Sequence, residues 1–389
     1  MVDPIADVNT CTRDIAYFKQ LGINAIRVYT VDNTANHDRC MAALADAGIY
    51  LILDVNTPKY SINRANPGPS YNTAYLQSIF ATIDAFQKYT NTLAFFSGNE
   101  VINDAPTSAT APYVKAVTRD IRQYIRNRGY RTIPVGYSAA DVAENRMETA
   151  QYMNCGTADE RSDFFAFNDY SWCSPSTYTI AGWDQKVKNF TGYGLPIFLS
   201  EYGCNTNKRD FGEVSALYST NMTGVYSGGL VYEYSQEESR YGLVTLNGNS
   251  VSTLDDFGAL ATAFKNTPNP SGDGGFNSNS AASNCPSYSS PNWLVRGTAL
   301  PAIPEGAKAF MSQGAGNGPG LTGPGSQNAG GASTGTASAG SGQATRTGTS
   351  GSSPTNAASG HLQPLESMLA PVVAGAVLVV SSLFGASLL

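Results

Sequence analysis

Apolar and polar positions follow two alternating rhythms along residues 1–265. In 12–21, Ile15, Phe18 and Leu21 fall on one face at helical spacing. Gly22 follows, in the place where a left-handed glycine ends a helix. A short apolar run, 23–29, then reads as a strand. The cadence recurs as helix 38–47 and strand 49–55, helix 73–89 and strand 93–98, helix 112–128 and strand 132–137, helix 145–151 and strand 164–170, helix 181–190 and strand 196–201, helix 213–223 and strand 229–234. These strands are continuous apolar runs, as expected of a parallel sheet covered by helices on both faces.

Regular β/α alternation gives either a doubly wound sheet or a (β/α)8 barrel. No GxGxxG fingerprint follows a strand, which weighs against the nucleotide-binding form of the first. The expected fold is therefore α/β, a TIM (β/α)8 barrel over 1–265. Seven strands are visible and the chain opens on a helix, so closure calls for one more strand before residue 1. The opening Met1-Val2-Asp3 leads straight into polar sequence, and a secretory signal is likewise expected upstream.

Beyond residue 265 the rhythm stops. Residues 266–311 are rich in Pro, Ser and Asn but keep Cys285 and Trp293, and read as an irregular extension tied onto the barrel. Residues 312–360 contain no aromatic residue, Val or Ile, and are expected to form a disordered, O-glycosylated linker. The final stretch, 361–389, ends in an uncharged apolar run with no basic cluster after it, unlike a stop-transfer segment. A single-span tail anchor is one reading. The small residues Asn356-Ala-Ala and the polar spacer 359–367 favour a glycosylphosphatidylinositol (GPI) attachment signal, with Asn356 as the attachment point.

Composition narrows the chemistry. Only 14% of residues are charged and 22 are Tyr, which suits neutral polar ligands such as sugars. A net charge of −6 argues against nucleic acid as a partner, because phosphate binding needs a positive stripe. The one basic cluster, Arg126, Arg128 and Arg131, lies at a helix end and reads as a solvated face complementing the helix dipole. Six Cys without a CxxC pair, and only two His, argue against a zinc site and for disulfides in an oxidising compartment. The sequons at Asn189 and Asn221 agree with secretion.

Barrel enzymes place their chemistry at the C-terminal ends of the strands. There this sequence offers Arg27 and Tyr29, Asp54 and Asn56, Asn99 and Glu100, Tyr137, Asn168 and Tyr170, Glu201 and Tyr202, and Tyr232 and Tyr234. Acetal cleavage needs one carboxylic acid to protonate the leaving oxygen and one carboxylate to attack or to activate water. Glu100 follows an apolar strand, the half-buried setting that suits a proton donor. Glu201 shares a strand face with Ile197 and Leu199, expected to point into the barrel, and Arg27 is placed as the partner that keeps it ionised.

An Asn-Glu pair after one strand and a Glu ending the strand three units later resembles the large glycosidase clan with catalytic residues on strands 4 and 7. Here they end the third and sixth visible strands. The stretches Asn24-Ala-Ile-Arg-Val-Tyr29, Ser61-Ile-Asn-Arg64, Gly98-Asn-Glu-Val101, Ile133-Pro-Val-Gly-Tyr-Ser138, Tyr170-Ser-Trp-Cys173, Ser200-Glu-Tyr-Gly-Cys204 and Ser227-Gly-Gly-Leu-Val-Tyr232 narrow the resemblance. Together they resemble glycoside hydrolase family 72, the fungal β-1,3-glucanosyltransferases, over roughly 3–310, in the subgroup without a cysteine-rich carbohydrate-binding module. The resemblance implies an enzyme that cuts β-1,3-glucan and transfers the new reducing end to another glucan chain. It implies Glu100 as acid/base, Glu201 as nucleophile and Asn99 as the amide on the sugar 2-hydroxyl. Tyr29, Asp54, Tyr170 and one of Tyr232 or Tyr234 match sugar-site positions, with Arg27 beside them. It further implies the disulfides Cys11–Cys40, Cys173–Cys204 and Cys155–Cys285, no cofactor or metal, and a monomer on the outer leaflet of the plasma membrane and in the cell wall. The competing functions are a hydrolytic β-1,3-glucanase with the same residues and a glucan-binding wall protein without turnover. Intact Asn99, Glu100 and Glu201 weigh against the latter.

Overall fold

The computed structural model describes residues 1–277 and 280–337 and, beyond them, the backbone of Val377–Val380. Strands β1 (Ala25–Val28), β2 (Tyr50–Asp54), β3 (Thr92–Asn99), β4 (Val135–Ala140), β5 (Phe164–Asn168), β6 (Ile197–Tyr202) and β7 (Tyr226–Val231) each pair in parallel with the next. Helices α1 (Val8–Leu21), α2 (Asp38–Asp46), α3 (Pro67–Ser70), α4 (Thr73–Phe86), α5 (Ala111–Asn127), α6 (Arg146–Met153), α7 (Trp183–Phe190) and α8 (Glu213–Leu217) alternate with them. After β7 come the hairpin β8 (Val244–Asn247) and β9 (Ser250–Thr253), then α9 (Asp255–Asn266). Further on, β10 (Leu300–Pro301), α10 (Phe310–Gln313) and β11 (Thr336–Ala337) belong to the extension.

Helix ends follow local chemistry. Asp7 caps α1 by accepting from the Asn9 amide, and Gly22 ends it at φ 71° with its N–H on the last carbonyls. Asn72 caps α4 in the same way, accepting from the Tyr75 amide. The faces expected to be apolar are the buried ones, such as Ile15, Phe18 and Leu21 in α1 and Val114, Val117, Ile121 and Tyr124 in α5.

The barrel is closed by an eighth strand, β12 (Val377–Val380), which runs parallel between β1 and β7. Strands β1 to β7 form the seven-stranded, nearly closed barrel expected from the sequence, and β12 lies in the slot that the strand expected before residue 1 would fill. The slot between β1 and β7 exposes two unpaired strand edges, and a short run rich in Val satisfies them as well as it would enter a membrane. The rest of 338–389, including Asn356 and most of the apolar tail, lies outside the described residues. Among the described residues no helix is long and apolar enough to cross a membrane.

Two apolar layers result. The larger fills the space between strands and helices. The smaller plugs the barrel interior and consists of Ile52, Ala94, Phe96, Phe164, Ala166 and Leu230, with Tyr29, Phe198 and Tyr232 packed against it. Phe96, Phe164 and Phe198 meet with centroids 5.3–6.0 Å apart. Gly136 on β4 makes room for this plug, since a Cβ there would lie 2.5 Å from the Phe164 ring.

The three disulfides are Cys11–Cys40, Cys155–Cys285 and Cys173–Cys204. The second ties the extension to the end of α6. The expected linker does not start at 312. Residues 315–337 run back over the barrel, held by their main chain rather than by apolar side chains. Gly320 N donates to Asn33 Oδ1, Lys59 Nζ donates to the carbonyls of Leu321 and Gly323, Asn72 Nδ2 donates to Ser326 O, and β11 pairs with β10. Composition reports side chains, so a segment bound through its own carbonyls and amides reads as disordered. The arginine cluster also differs from a free solvated face. Arg126 pairs with Asp159, Arg128 donates to Ser312 O, and Arg131 donates to Tyr89 O.

Candidate active site

The interior plug sets the floor of the site. Arg27, from β1, is fully buried above it, with its guanidinium 4.5 Å from the Phe96 ring centroid and 4.2 Å from that of Tyr29. Its Nε and Nη2 donate to the two carboxylate oxygens of Asp54 at 2.7 and 3.0 Å. Only Nη1 is left for Glu201, at 3.2 Å from Oε1. The same oxygen accepts from Tyr29 OH at 2.6 Å, and Oε2 accepts from Tyr170 OH at 2.7 Å. Glu201 is thus gripped on both oxygens while only 7% exposed.

Burial pushes the Glu201 carboxyl up to about 7, against the pull of Arg27 and with a further push from Glu100. The two tyrosine donors lower it only in part. The cause is a division of charge. Asp54 already takes two of the three donor directions of Arg27, so Glu201 receives partial compensation. Burial raises the phenols of Tyr29 and Tyr170 well above the ordinary tyrosine value, so both are neutral donors.

Glu100 follows β3 with φ 48°, one of three non-glycine residues at positive φ among the described residues. A bulky residue in that region is uncommon and is tolerated chiefly where function demands it. Its amide donates to Ser138 O at 2.9 Å, which fixes the turn, and its Oε1 accepts from Asn168 Nδ2 at 2.8 Å. Asn168 Nδ2 also lies 3.1 Å from Asn99 Oδ1. Ser138 Oγ is 2.7 Å from that oxygen and 2.9 Å from Ser200 Oγ, and Ser200 Oγ donates to Asn168 Oδ1 at 2.8 Å. Asn99 is therefore oriented by its carbonyl oxygen.

The ends of β3 and β6 carry irregularities that matter here. Register shifts fall between Phe96 and Asn99, between Phe167 and Asn168, and between Leu199 and Tyr202. Ile197 and Leu199 belong to the outer layer and Phe198 to the interior plug, the reverse of the face assigned from the sequence. Glu201 still reaches the site because the shift after Leu199 re-aims the strand end, as bulges beside active sites do.

Tyr232 lies in the site, edge-on to Tyr29 and Tyr170 with centroids 6.3 Å away in each case. Tyr234 does not. Its ring packs on Phe18, and its hydroxyl donates to Asp14 on α1 at 2.9 Å. Since β7 ends at Val231, three residues before the end expected, Tyr234 lies beyond the ladder and turns outward. Tyr137 also faces away from the site, accepting from the Ile102 amide, and Asn56 accepts from Tyr75 OH. Arg27 and Asp54 sit beneath the site, where Arg27 contacts Asp54 and Glu201. Sequence reasoning missed Tyr241, whose ring is 5.5 Å from Tyr170 and 5.3 Å from Tyr232. It stands in a polar loop with no periodicity, next to Gly242, and only that aromatic-glycine pair marks it. Among the described residues no group of three or more His, Cys, Asp or Glu is placed to hold a metal ion.

Comparison with known proteins agrees with this geometry. Residues 1–268 match the family model described as Glucanosyltransferase, glycoside hydrolase family 72. The chain is 72% identical over 323 residues to the 1,3-beta-glucanosyltransferase gel1 of Aspergillus fumigatus, covering 83% of this chain and 72% of that protein. It is 52% identical over 320 residues to the 1,3-beta-glucanosyltransferase GAS5 of Saccharomyces cerevisiae, covering 82% and 66%. A solved structure of a Saccharomyces cerevisiae Gas2p mutant, in complex with laminaritetraose and laminaripentaose, superposes with a TM-score of 0.73 at 40% identity, over 79% of this chain and 68% of that one. On the match over residues 1–268 and the relatives' identity, this chain belongs to the glucanosyltransferases of glycoside hydrolase family 72.

Proposed function

We propose that this chain is a retaining β-1,3-glucanosyltransferase in which Glu201 is the nucleophile and Glu100 the acid/base. The observation that carries the assignment is the asymmetry of the two carboxyls. Glu201 is fixed by Arg27, Tyr29 and Tyr170, as a group that must attack one carbon along one line requires. Glu100 is half-exposed with one amide contact, as a group that must pass a proton to and from bulk-accessible hydroxyls requires.

In the first step Glu201 forms a bond to the anomeric carbon while Glu100 gives its proton to the departing glycosidic oxygen. In the second, Glu100 takes the proton of an incoming sugar hydroxyl, which displaces Glu201 and restores the β-linkage. The NH2 group of Asn99 is placed to donate to the sugar 2-hydroxyl. Tyr29, Tyr170 and Tyr232 offer ring faces and edges to the sugar, and Asp54 acts through Arg27. The donor and acceptor are β-1,3-glucan chains, and the product is an elongated chain. A reduced laminari-oligosaccharide provides the test. Products longer than the substrate mean transfer, and exclusively shorter products mean a glucanase. Glu100→Gln and Glu201→Gln should each remove at least ~1,000-fold of the rate.

The chain acts as a monomer at the cell surface. Three disulfides and exposed Asn189 and Asn221 support an oxidising, glycosylating route. The lipid anchor is attached at Asn356, with 338–356 as the remaining linker. Cleavage there removes β12 with the tail, so the anchored form needs another strand in the slot between β1 and β7.

A further inference from the structure

The rings around Glu201 are held in two different ways. Tyr29 and Tyr170 are fixed by hydrogen bonds to the nucleophile itself. Tyr232 and Tyr241 form the opposite wall, edge-on to Tyr170 and to each other. A guanidinium on the far side of the backbone braces that wall.

Arg209 is 3% exposed. Its Nη1 donates to Tyr232 O at 2.9 Å and reaches Gly203 O at 3.5 Å. Its Nη2 donates to Tyr241 O at 2.6 Å and lies 3.3 Å from Gly242 O. Its Nε donates to Asp256, at the start of α9, at 2.7 Å, which holds the planar fork in place. The carbonyls come from three segments: the end of β6 two residues after Glu201, the end of β7, and the loop 233–243. Single backbone bonds join them in pairs, Tyr232 N to Tyr202 O and Glu233 N to Tyr241 O, and the one buried cation bridges all three at once. The backbone units it holds are the ones that carry Tyr232 and Tyr241. Gly242 is required for the approach, because a Cβ there would meet the backbone of Gln236.

We infer that Arg209 is a positioning residue that locks the Tyr232–Tyr241 wall against Glu201 and so determines whether sugar or water resolves the glycosyl-enzyme. This rests on the transferase reading above. A wall fixed to within a fraction of an ångström offers a flat face to an acceptor sugar and excludes water from the anomeric carbon. A loose wall admits water. The rate of forming the intermediate depends on Glu100 and Glu201 and changes less.

The test is the ratio of transfer to hydrolysis on a reduced laminari-oligosaccharide, measured well below each variant's melting temperature. Arg209→Met should lower that ratio about tenfold or more, given the sensitivity of catalysis to ångström-scale misplacement. Arg209→Lys, which keeps the charge and part of the donor set, should restore part of it. Asp256→Asn should give an intermediate loss. Tyr241→Ala, at a half-exposed ring, removes the wall directly and should reproduce the Arg209→Met ratio even if that variant does not fold. An unchanged ratio in Tyr241→Ala, or in a folded Arg209→Met whose only defect is a lower melting temperature, overturns the inference. Absence of any transfer by the unmodified protein would instead defeat the underlying function.

Discussion

Asp54 takes two donor directions of Arg27 and Glu201 takes one, and this unequal division sets the pH at which the proposed nucleophile, Glu201, is ionised. Attack requires the carboxylate. With its carboxyl pushed up to about 7 by burial, the acid limb of kcat/KM should fall near neutrality. Asp54→Asn removes a like charge and frees Arg27 for Glu201, so the ionised form gains and the limb moves toward acid by about one pH unit. Tyr29→Phe removes a donor to the ionised form, so the limb moves toward alkali. Opposite displacements in the two variants are expected whatever happens to the maximal rate. Displacement of both in one direction would mean that Glu201 does not control the limb.

At the scale of elements, the sequence was legible wherever burial is continuous. The seven strands are apolar runs because helices cover one side and the Phe96–Phe164–Phe198 plug fills the other. Both catalytic candidates were legible as strand-end glutamates. Their face was not. Parity along β6 puts Glu201 with Ile197 and Leu199, and a register shift cancels the parity. Nothing in side-chain type announces such a shift. The early end of β7 likewise separates Tyr232 from Tyr234, which an unbroken strand would place together. Gly136 is a case where the reason lies in the neighbouring strand. A Cβ there would sit 2.5 Å from both the Phe164 ring and the Phe164 carbonyl oxygen, and the backbone contact cannot be relieved by a rotamer. Gly136→Ala should therefore destabilise the barrel by about 3 kcal/mol, the upper part of the usual range for overpacking. Urea denaturation checks it, and a loss within ~0.5 kcal/mol would show that β4 and β5 can separate without cost.

At the scale of the whole molecule, the barrel is wrapped by a chain that brings almost no apolar surface of its own. The strap 315–337 crosses the loop between β2 and α4, and most of its anchors are main-chain groups. Ser326 N donates to Lys59 O, Gly325 N donates to Tyr60 OH, Gly320 N donates to Asn33 Oδ1, and Thr73 N donates to Gly331 O. Lys59 contributes most from the barrel side, with its ammonium shared between Leu321 O and Gly323 O at 3.1 Å each. Such a segment has low local stability, since it opens by exchanging hydrogen bonds with water and exposes little apolar area. Lys59→Met keeps the length of the side chain and removes both donors. Amide exchange at Gly320, Gly325 and Ser326 should accelerate about tenfold, as loss of one to two kcal/mol of local stability implies. Amides in β2 to β6, which open only with the barrel, should exchange as before. The strap shares its loop with Ser61 and Asn72, through Gln327 Nε2 to Ser61 O and Asn72 Nδ2 to Ser326 O, so loosening should spread to 57–72 before it reaches Glu100. Unchanged exchange along 315–337 in Lys59→Met would mean that the strap is held by something other than its carbonyls. Equal acceleration throughout the barrel would mean that strap and barrel unfold as a single unit.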